Sequence, residues 1–322
     1  MTDSYASLPH RTTRDGDERK TGVEVEFSGL GEVQTGEIVA EFLGGTATAP
    51  HSHELTVEGT ELGDIRVELD ISLRKKDIPL LERGLNMAKA VVPVEIITEP
   101  LTRKEVIRLG ALLDELRHRG ARGSRAGVLL GFGVHLNPEI VGADDPQTLN
   151  TITAFGLLEP WLRRAEDLDM TRRLMPFIET WPHAFVTQLV KDQPSTLRDL
   201  MSVAARHISS RNHGLDLMPL FAHHDRALFD RIFPAQSKLS ARPTFHFRLP
   251  DCRIDEEGWS LARPWNLWAR VEHVANDAHM LDTLRTAWLE HNHYLPGAEG
   301  RWAERVSKLF QSNDVSEPEA VQ

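Results

Sequence analysis

Strict alternation of apolar and polar residues in short segments constrains this chain more than any other feature. Across residues 64–71, apolar side chains occupy every odd position and charged side chains every even position. Residues 22–27 alternate in the same way and place Glu24 and Glu26 together, opposite two valines and a phenylalanine. Successive strand residues point to opposite faces, so both segments predict half-buried β-strands with carboxylates on one face.

Three further segments, residues 92–99, 127–137 and 244–249, alternate similarly and predict three more strands. A solvated face of a sheet ordinarily carries Lys, Thr, Ser and Gln, whereas the polar positions of these five segments hold reactive groups and almost no lysine. They are Glu24, Glu26, Glu68, Asp70, Glu95, Glu99, His135, Asn137, His246 and Arg248. Strand glycines on that face, among them Gly133, indicate that something approaches the backbone closely.

This polar face has the composition of a phosphoryl-transfer site. Carboxylates crowded on one surface repel one another unless a cation neutralises them. Oxygen ligands with an occasional histidine or asparagine suit Mg²⁺ or Mn²⁺ better than Zn²⁺. Arginine, present on the same face at position 248, binds phosphate through paired hydrogen bonds. The sequence contains no Gly-rich loop ending in Gly-Lys-Ser/Thr, the motif of a P-loop. We therefore expect a metal-assisted site that does not use a P-loop.

Composition excludes several classes of protein. The net charge of −11 argues against nucleic-acid binding, which requires clustered positive charge. No apolar run of about 18 residues occurs, so we expect no membrane span. Residues 1–20 lack the apolar core of a signal peptide, and the single cysteine excludes an intramolecular disulfide. We expect a cytoplasmic protein.

The order of elements predicts an α+β fold, in which helices cover one face of a mainly antiparallel sheet. Residues 21–310 are expected to form one catalytic domain between disordered tails at 1–20 and 311–322. Strands and helices alternate up to about residue 138, and residues 146–233 read as a helical insertion or lid. Helices are predicted at residues 35–42, 77–90, 102–119, 264–292 and 300–310.

Five motifs in a fixed order resemble the amidoligase family of carboxylate-amine ligases, which share the glutamine synthetase and glutamate-cysteine ligase fold. They are GVEVEF at residues 22–27, ELDIS at 68–72, VEIITEP at 94–100, GVHLN at 133–137 and PTFHFR at 243–248. The resemblance covers roughly residues 21–290. It implies a curved antiparallel sheet with ATP and Mg²⁺ (or Mn²⁺) on its concave face. The implied reaction joins a small-molecule or peptide carboxylate to an amine through an acyl phosphate.

The resemblance also implies a role for individual residues. The implied metal ligands are Glu24, Glu26, Glu95 and His246; the cofactor-binding residues are Gly133, His135, Asn137 and Arg248; and the catalytic residues are His135, Arg211 and Arg248. The arginines would contact phosphate, and Arg248 would stabilise charge on the transferring phosphoryl group.

Two positions depart from the pattern of the family. Gly133 stands where many relatives carry the first histidine of a His-x-His pair, and His246 stands where relatives often carry glutamate. Two other interpretations therefore stay open. One is a non-catalytic nucleotide-binding protein of the same fold, and the other is a metal-dependent hydrolase. The sequence specifies neither the acid and amine nor an oligomeric state.

Overall fold

The computed structural model describes residues 4–51, 54–69, 93–124, 131–166 and 178–313. Its centre is a six-stranded sheet in which every neighbouring pair is antiparallel. The strands are β1 (Thr21–Phe27), β2 (Thr46–His51), β3 (Glu54–Thr60), β4 (Gly63–Leu69), β5 (Val94–Thr98) and β6 (Val134–Pro138). Their order across the sheet is β2-β3-β4-β5-β1-β6, which places β1 between β5 and β6.

Ten α-helices occur within the described residues. They are α1 (Glu32–Leu43), α2 (Arg103–Arg119), α3 (Pro146–Glu166), α4 (His183–Asp192), α5 (Leu197–Ala204), α6 (Met218–His224), α7 (Arg226–Ile232), α8 (Ala262–Asn276), α9 (Ala278–Glu290) and α10 (Ala298–Ser312). The predicted α+β class with an antiparallel sheet is confirmed. The specific likeness to glutamine synthetase stays a prediction.

The two faces of the sheet differ as the alternation predicts. Val23, Val25 and Phe27 of β1 are fully buried, and α1, α2 and α8 contact the strands. Burying each such side chain stabilises the fold by about 1.5–3 kcal/mol. Glu24 and Glu26 point to the opposite face and remain partly exposed. The apolar face thus fixes the register that presents both carboxylates together.

An extended segment at residues 243–252 runs beside β6. Leu136 and Phe247 exchange backbone hydrogen bonds of 2.9 Å in both directions, and the Phe245 N–H donates to Pro138 O. The predicted strand at 244–249 is wrong as a regular element, because only isolated bridges form. Pro243 and Pro250 lack the N–H groups that a continuous ladder needs. The predicted alternation nevertheless holds, since Phe245 and Phe247 are buried.

The N-terminal segment is ordered against α8, so the predicted disordered tail at 1–20 is wrong for residues 4–20. Tyr5 and Ala6 are buried, and the Trp265 indole N–H donates to Ala6 O at 2.8 Å. Arg19 is also buried and pairs with Glu272 of α8 through two 2.8 Å hydrogen bonds. The prediction of disorder fails because residues 1–20 are mostly polar, and the few residues that anchor the segment do not stand out in that composition.

Helix ends follow their capping residues. α2 begins after Thr102, which forms a capping box with Glu105, and ends at Gly120 in the left-handed region, as predicted. The predicted start of α1 at Thr35 is wrong, because the Gln34 side chain caps Gly31 instead. The predicted long helix at 264–292 is divided into α8 and α9, since Asp277 adopts an extended backbone and caps the second helix.

Other predictions fall partly or wholly outside the described residues. The helix at 77–90 and the first part of the strand at 127–137 lie there, and the regular strand in that region is β6. Where the structure describes this block, at residues 146–166 and 178–233, it is mostly helical, with α3 to α7. Whether that block is a lid, and whether residues 21–310 form a single domain, stay predictions. None of the described helices combines the length and apolarity needed to cross a membrane.

Candidate metal centre

Glu24 lies at the centre of a polar cluster on the face of the sheet opposite the core. It is directly opposite His135 in the β1–β6 pair. Its Oε2 lies 3.0 Å from His135 Nδ1, and its Oε1 accepts a 3.0 Å hydrogen bond from Asn137 Nδ2. Arg242 Nη1 approaches the same Oε1 to 3.5 Å. Glu24 of β1 therefore contacts two residues of β6 that are two positions apart, and an arginine from the segment preceding residue 243.

The environment of Glu24 favours its ionised form. Burial acts to raise the pKa of this carboxyl, but the hydrogen bond with His135 and the electrostatic effects of His135, His246 and Arg242 outweigh burial and lower it. Glu24 thus remains a carboxylate well below the usual pKa range of glutamate. An anion held in this way among nitrogen donors is suited to bind a cation.

Glu24→Gln is expected to make stability less dependent on pH. The pKa of Glu24 is lower in the folded than in the unfolded chain, so its ionisation stabilises the fold above about pH 4.5, and this contribution disappears as pH falls further. We expect Glu24→Gln to lower the free energy of unfolding by about 1–3 kcal/mol at pH 7, and by roughly 1 kcal/mol less at pH 3.5, which lies one unit below the unfolded pKa of about 4.5. Urea unfolding of metal-free protein at both pH values measures the difference.

Glu58→Gln is the control, because it removes an exposed carboxylate from β3 of the same sheet. It should change the free energy of unfolding by less than about 0.5 kcal/mol at pH 7. A Glu24→Gln penalty that is equally large at pH 3.5 would contradict the account of this carboxylate.

Glu26 belongs to a row of carboxylates that crosses three strands. Glu26 is directly opposite Glu95 on β5, and Glu95 is directly opposite Glu68 on β4. The Gly133 N–H donates a 2.8 Å hydrogen bond to Glu26 Oε2, while Gly133 O accepts from the Glu26 N–H at 3.0 Å. Like charges directly opposite one another destabilise a sheet. A bound cation would remove that repulsion.

His246 presents a buried nitrogen to the same cluster. Its ring lies 5.5 Å from that of His135, centroid to centroid, at an interplanar angle of 79°. His246 Nδ1 is 3.5 Å from Asp216 Oδ2, and Nε2 is buried without a hydrogen-bond partner among the residues that the structure describes. Burial lowers the pKa of His246 against the opposing effects of Asp216 and Glu24. A neutral imidazole with an unused buried nitrogen is a typical metal ligand.

Asp216 is the buried anion behind His246. Burial alone would raise its pKa, yet His246, Arg211 and Arg248 together lower it. Its Oδ2 accepts a 2.8 Å hydrogen bond from Arg211 Nε, and its Oδ1 accepts one of 3.0 Å from the Met218 N–H. The Arg248 guanidinium donates at 3.0 Å to Arg211 O. The two predicted arginines therefore lie beside Asp216, and Arg211 supports it directly.

Two overlapping sets of potential ligands fit a divalent ion. One ligand atom from each of Glu24, His135 and His246 lies within 4.8 Å of the others, and the same holds for Glu26, Glu95 and His135. Ligands bonded at about 2.0–2.2 Å to one ion are at most about 4.4 Å apart, so small adjustments suffice. His135 Nδ1 and Glu24 Oε2 are 3.0 Å apart and share a hydrogen bond. An ion bound by both atoms would take the place of the proton between them, since adjacent ligands of an octahedral ion have about this separation.

The structure brings the predicted residues together and adds two that the sequence analysis missed. Glu24, Glu26, Glu95, His135 and His246 all belong to the two ligand sets. Asn137 and Gly133 bind the carboxylates of β1, and Arg211 and Arg248 adjoin Asp216. The missed residues are Asp216 and Arg242. Asp216 ends a Ser-Ser-Arg-Asn-His-Gly-Leu-Asp segment that already contained Arg211, and Arg242 directly precedes the PTFHFR motif.

Comparison with known protein families identifies the family of this chain. The family described as "Putative amidoligase enzyme" matches residues 17–270, which include both ligand sets and all three arginines. The chain belongs to this amidoligase family. A search of curated proteins finds no significant match. The motifs at residues 22–27, 94–100, 133–137 and 243–248 coincide with β1, β5, β6 and the extended segment, which carry the candidate metal ligands. Only Glu68 and Leu69 of the motif at 68–72 lie within the described residues.

Proposed function

We propose that this amidoligase is an ATP- and divalent-metal-dependent ligase that forms an amide bond between a carboxylate and an amine. The observation that carries the proposal is the convergence of Glu24, Glu26, Glu95 and His135 on one polar face in a member of this family. Four ligands from three neighbouring strands form a rigid site, because backbone pairing fixes their positions.

Bound ATP would supply the phosphoryl group that converts the substrate carboxylate into an acyl phosphate, from which the amine nitrogen displaces phosphate. A divalent ion held by the two ligand sets would neutralise charge on the phosphates. Gly133 has no side chain, so bulky phosphate groups can approach the backbone beside Glu26. Arg242 and Arg248 add positive charge at the edge of the cluster, where they are suited to bind the phosphate oxygens.

The partial burial of the cluster protects a reactive intermediate from water. The side chains of Glu24, His135 and His246 expose only 15%, 10% and 12% of their surfaces. An acyl phosphate must survive until the amine arrives, so a sheltered site favours amide formation over hydrolysis. Arg242 is half-exposed, which places a positive charge where an anionic substrate would enter.

The proposal is tested by measuring ADP release. Purified protein is incubated with ATP, Mg²⁺ or Mn²⁺, and pooled amino acids and dipeptides, and products are identified by mass spectrometry. We expect ADP to form together with an amide whose mass is that of the two substrates less one water. ATP binding by calorimetry without ADP release under any of these conditions would favour the non-catalytic interpretation instead.

A metal-dependent hydrolase is the second candidate. The combination of two histidines and one carboxylate in Glu24, His135 and His246 favours it, since such sets activate water in other metalloenzymes. This activity would cleave phosphoesters or amides without nucleotide. Omitting ATP separates the two functions, because the ligase would then be inactive and the hydrolase unaffected.

A further inference from the structure

We infer that Glu24, His135 and His246 bind a first-row transition-metal ion in preference to Mg²⁺, and that Asp216 is the positioning residue that orients His246 toward it. The inference concerns the identity of the metal. It rests on the proposed function only for the use of that ion in catalysis, because metal binding can be measured without nucleotide or substrate.

The preference follows from the donor atoms of the set. Glu24 offers oxygen, whereas His135 and His246 each offer an imidazole nitrogen, and one ligand atom of each lies within 4.8 Å of the other two. Mg²⁺ binds oxygen ligands and retains water in near-ideal octahedral geometry. Imidazole favours later divalent ions, whose affinities rise from Mn²⁺ through Co²⁺ to Cu²⁺. Two nitrogens among three ligands therefore select against Mg²⁺.

The hydrogen bonding of the His246 ring is typical of a metal ligand and differs from that of an ordinary core histidine. A core histidine ordinarily uses both ring nitrogens in hydrogen bonds. Here Nδ1 faces Asp216 Oδ2 at 3.5 Å, while Nε2 is buried and has no hydrogen-bond partner among the described residues. Because a carboxylate can only accept, the ring proton belongs on Nδ1, and the lone pair of Nε2 remains for another group. A carboxylate behind a histidine in this way is the usual support of a metal-binding imidazole.

Asp216 is itself held on several sides, so it can fix the ring of His246. Its carboxylate is fully buried and accepts hydrogen bonds from Arg211 Nε and from the Met218 N–H. Its backbone N–H donates at 3.0 Å to His246 O, which joins the two residues a second time. Phe245 and Phe247, buried on either side of His246 along the chain, keep the backbone of this segment in place.

The second ligand set has a different character. Glu26 and Glu95 contribute oxygens and share His135 with the first set. This oxygen-rich pair remains suited to Mg²⁺, the ion that ordinarily accompanies ATP phosphates. A neutral imidazole has a single lone pair, so His135 can serve only one set at a time. When His135 binds a transition metal with Glu24 and His246, Glu26 and Glu95 form an oxygen-only pair suited to Mg²⁺.

The inference is tested by metal binding to untagged, chelator-treated protein in the absence of nucleotide. Calorimetry measures the affinities for Co²⁺, Mn²⁺ and Mg²⁺, and the visible absorption of Co²⁺ reports its ligands. We expect Co²⁺ to bind at least about tenfold more tightly than Mg²⁺. Asp216→Asn should weaken Co²⁺ binding by about 10–100-fold and shift its absorption bands, with Mg²⁺ affinity changed less than about twofold.

His246→Glu is the complementary variant, because it replaces the nitrogen donor by an oxygen donor. It should lower the ratio of Co²⁺ to Mg²⁺ affinity by at least about tenfold. His224→Ala and Asp230→Asn, which alter residues outside both ligand sets, are the matched controls and should leave the ratio unchanged. Thermal unfolding identifies any variant that fails to fold. If Asp216→Asn is such a variant, His246→Glu and His246→Gln decide the test.

Equal affinity for Co²⁺ and Mg²⁺ in the unaltered protein would overturn the inference. Unchanged Co²⁺ binding and absorption in the His246 variants would also overturn it. These outcomes are distinct from failure of the proposed function. Ligase activity with Mg²⁺ and no selectivity for Co²⁺ would contradict the inference about the metal but support the ligase function. Selective Co²⁺ binding without ADP release would support the inference about the metal but contradict the ligase function.

Discussion

Glu26→Gln is expected to reduce ATP-dependent amide formation by at least about a hundredfold while the protein remains folded. Glutamine keeps an oxygen that can accept the 2.8 Å hydrogen bond from the Gly133 N–H, so the local backbone contact survives. What is lost is the negative charge opposite Glu95 and one oxygen ligand of the second set. Removing a metal ligand weakens both the binding of the ion and the neutralisation of phosphate charge.

Steady-state ADP release and calorimetric Mg²⁺ binding together measure this effect. Glu58→Gln again serves as the control, because Glu58 is an exposed carboxylate on β3. We expect turnover and metal affinity of the control to match those of the unaltered protein. Full activity of Glu26→Gln would remove Glu26 from the catalytic site, even if the ligase reaction itself were demonstrated.

Arg19→Met is expected to destabilise the protein by about 3–5 kcal/mol. Arg19 binds both carboxylate oxygens of Glu272 at 2.8 Å, and neither side chain exposes more than 2% of its surface. Removing the arginine leaves a buried carboxylate whose remaining side-chain donor, among the residues that the structure describes, is the Trp268 indole N–H at 2.8 Å. The cost of an uncompensated buried charge exceeds that of losing an exposed ion pair.

Urea unfolding at pH 7 measures the change in free energy. The double variant Arg19→Met/Glu272→Met removes both charges and should be more stable than the single variant. Arg164→Met breaks an exposed pair with Glu304 and should change stability by less than about 0.5 kcal/mol. A loss of under about 1 kcal/mol in Arg19→Met would mean that the N-terminal segment contributes little to the fold.

The sequence predicted much of the site because a strand has a period of two. That period put Glu24 with Glu26 and His135 with Asn137 on single faces, and the structure confirms both groupings. Alternation alone does not determine which strands are neighbours. The motifs suggested that the polar faces converge, and the order β4-β5-β1-β6 now places Glu95 and His135 on either side of β1.

Features that depend on distant contacts could not be read from local patterns. Asp216 lies in an irregular segment, and its role appears only when His246 packs beside it. Arg242 approaches Glu24 across more than 200 positions of sequence. The ordered N-terminal segment depends on Tyr5, Ala6 and Arg19 finding partners on α8. The division of the predicted helix at Asp277 into α8 and α9 could not be read from the pattern, because one capping residue interrupts an otherwise continuous helical periodicity.

Isotope transfer tests the central claim most directly. Pooled amino acids and dipeptides labelled with ¹⁸O in their carboxylates are incubated with the protein, ATP and a divalent ion, and released phosphate is analysed by mass spectrometry. Activation through an acyl phosphate predicts that one ¹⁸O passes from the carboxylate to phosphate for each amide formed. Phosphate without ¹⁸O, or no release of phosphate at all, would contradict the assignment of this site to amide-bond formation.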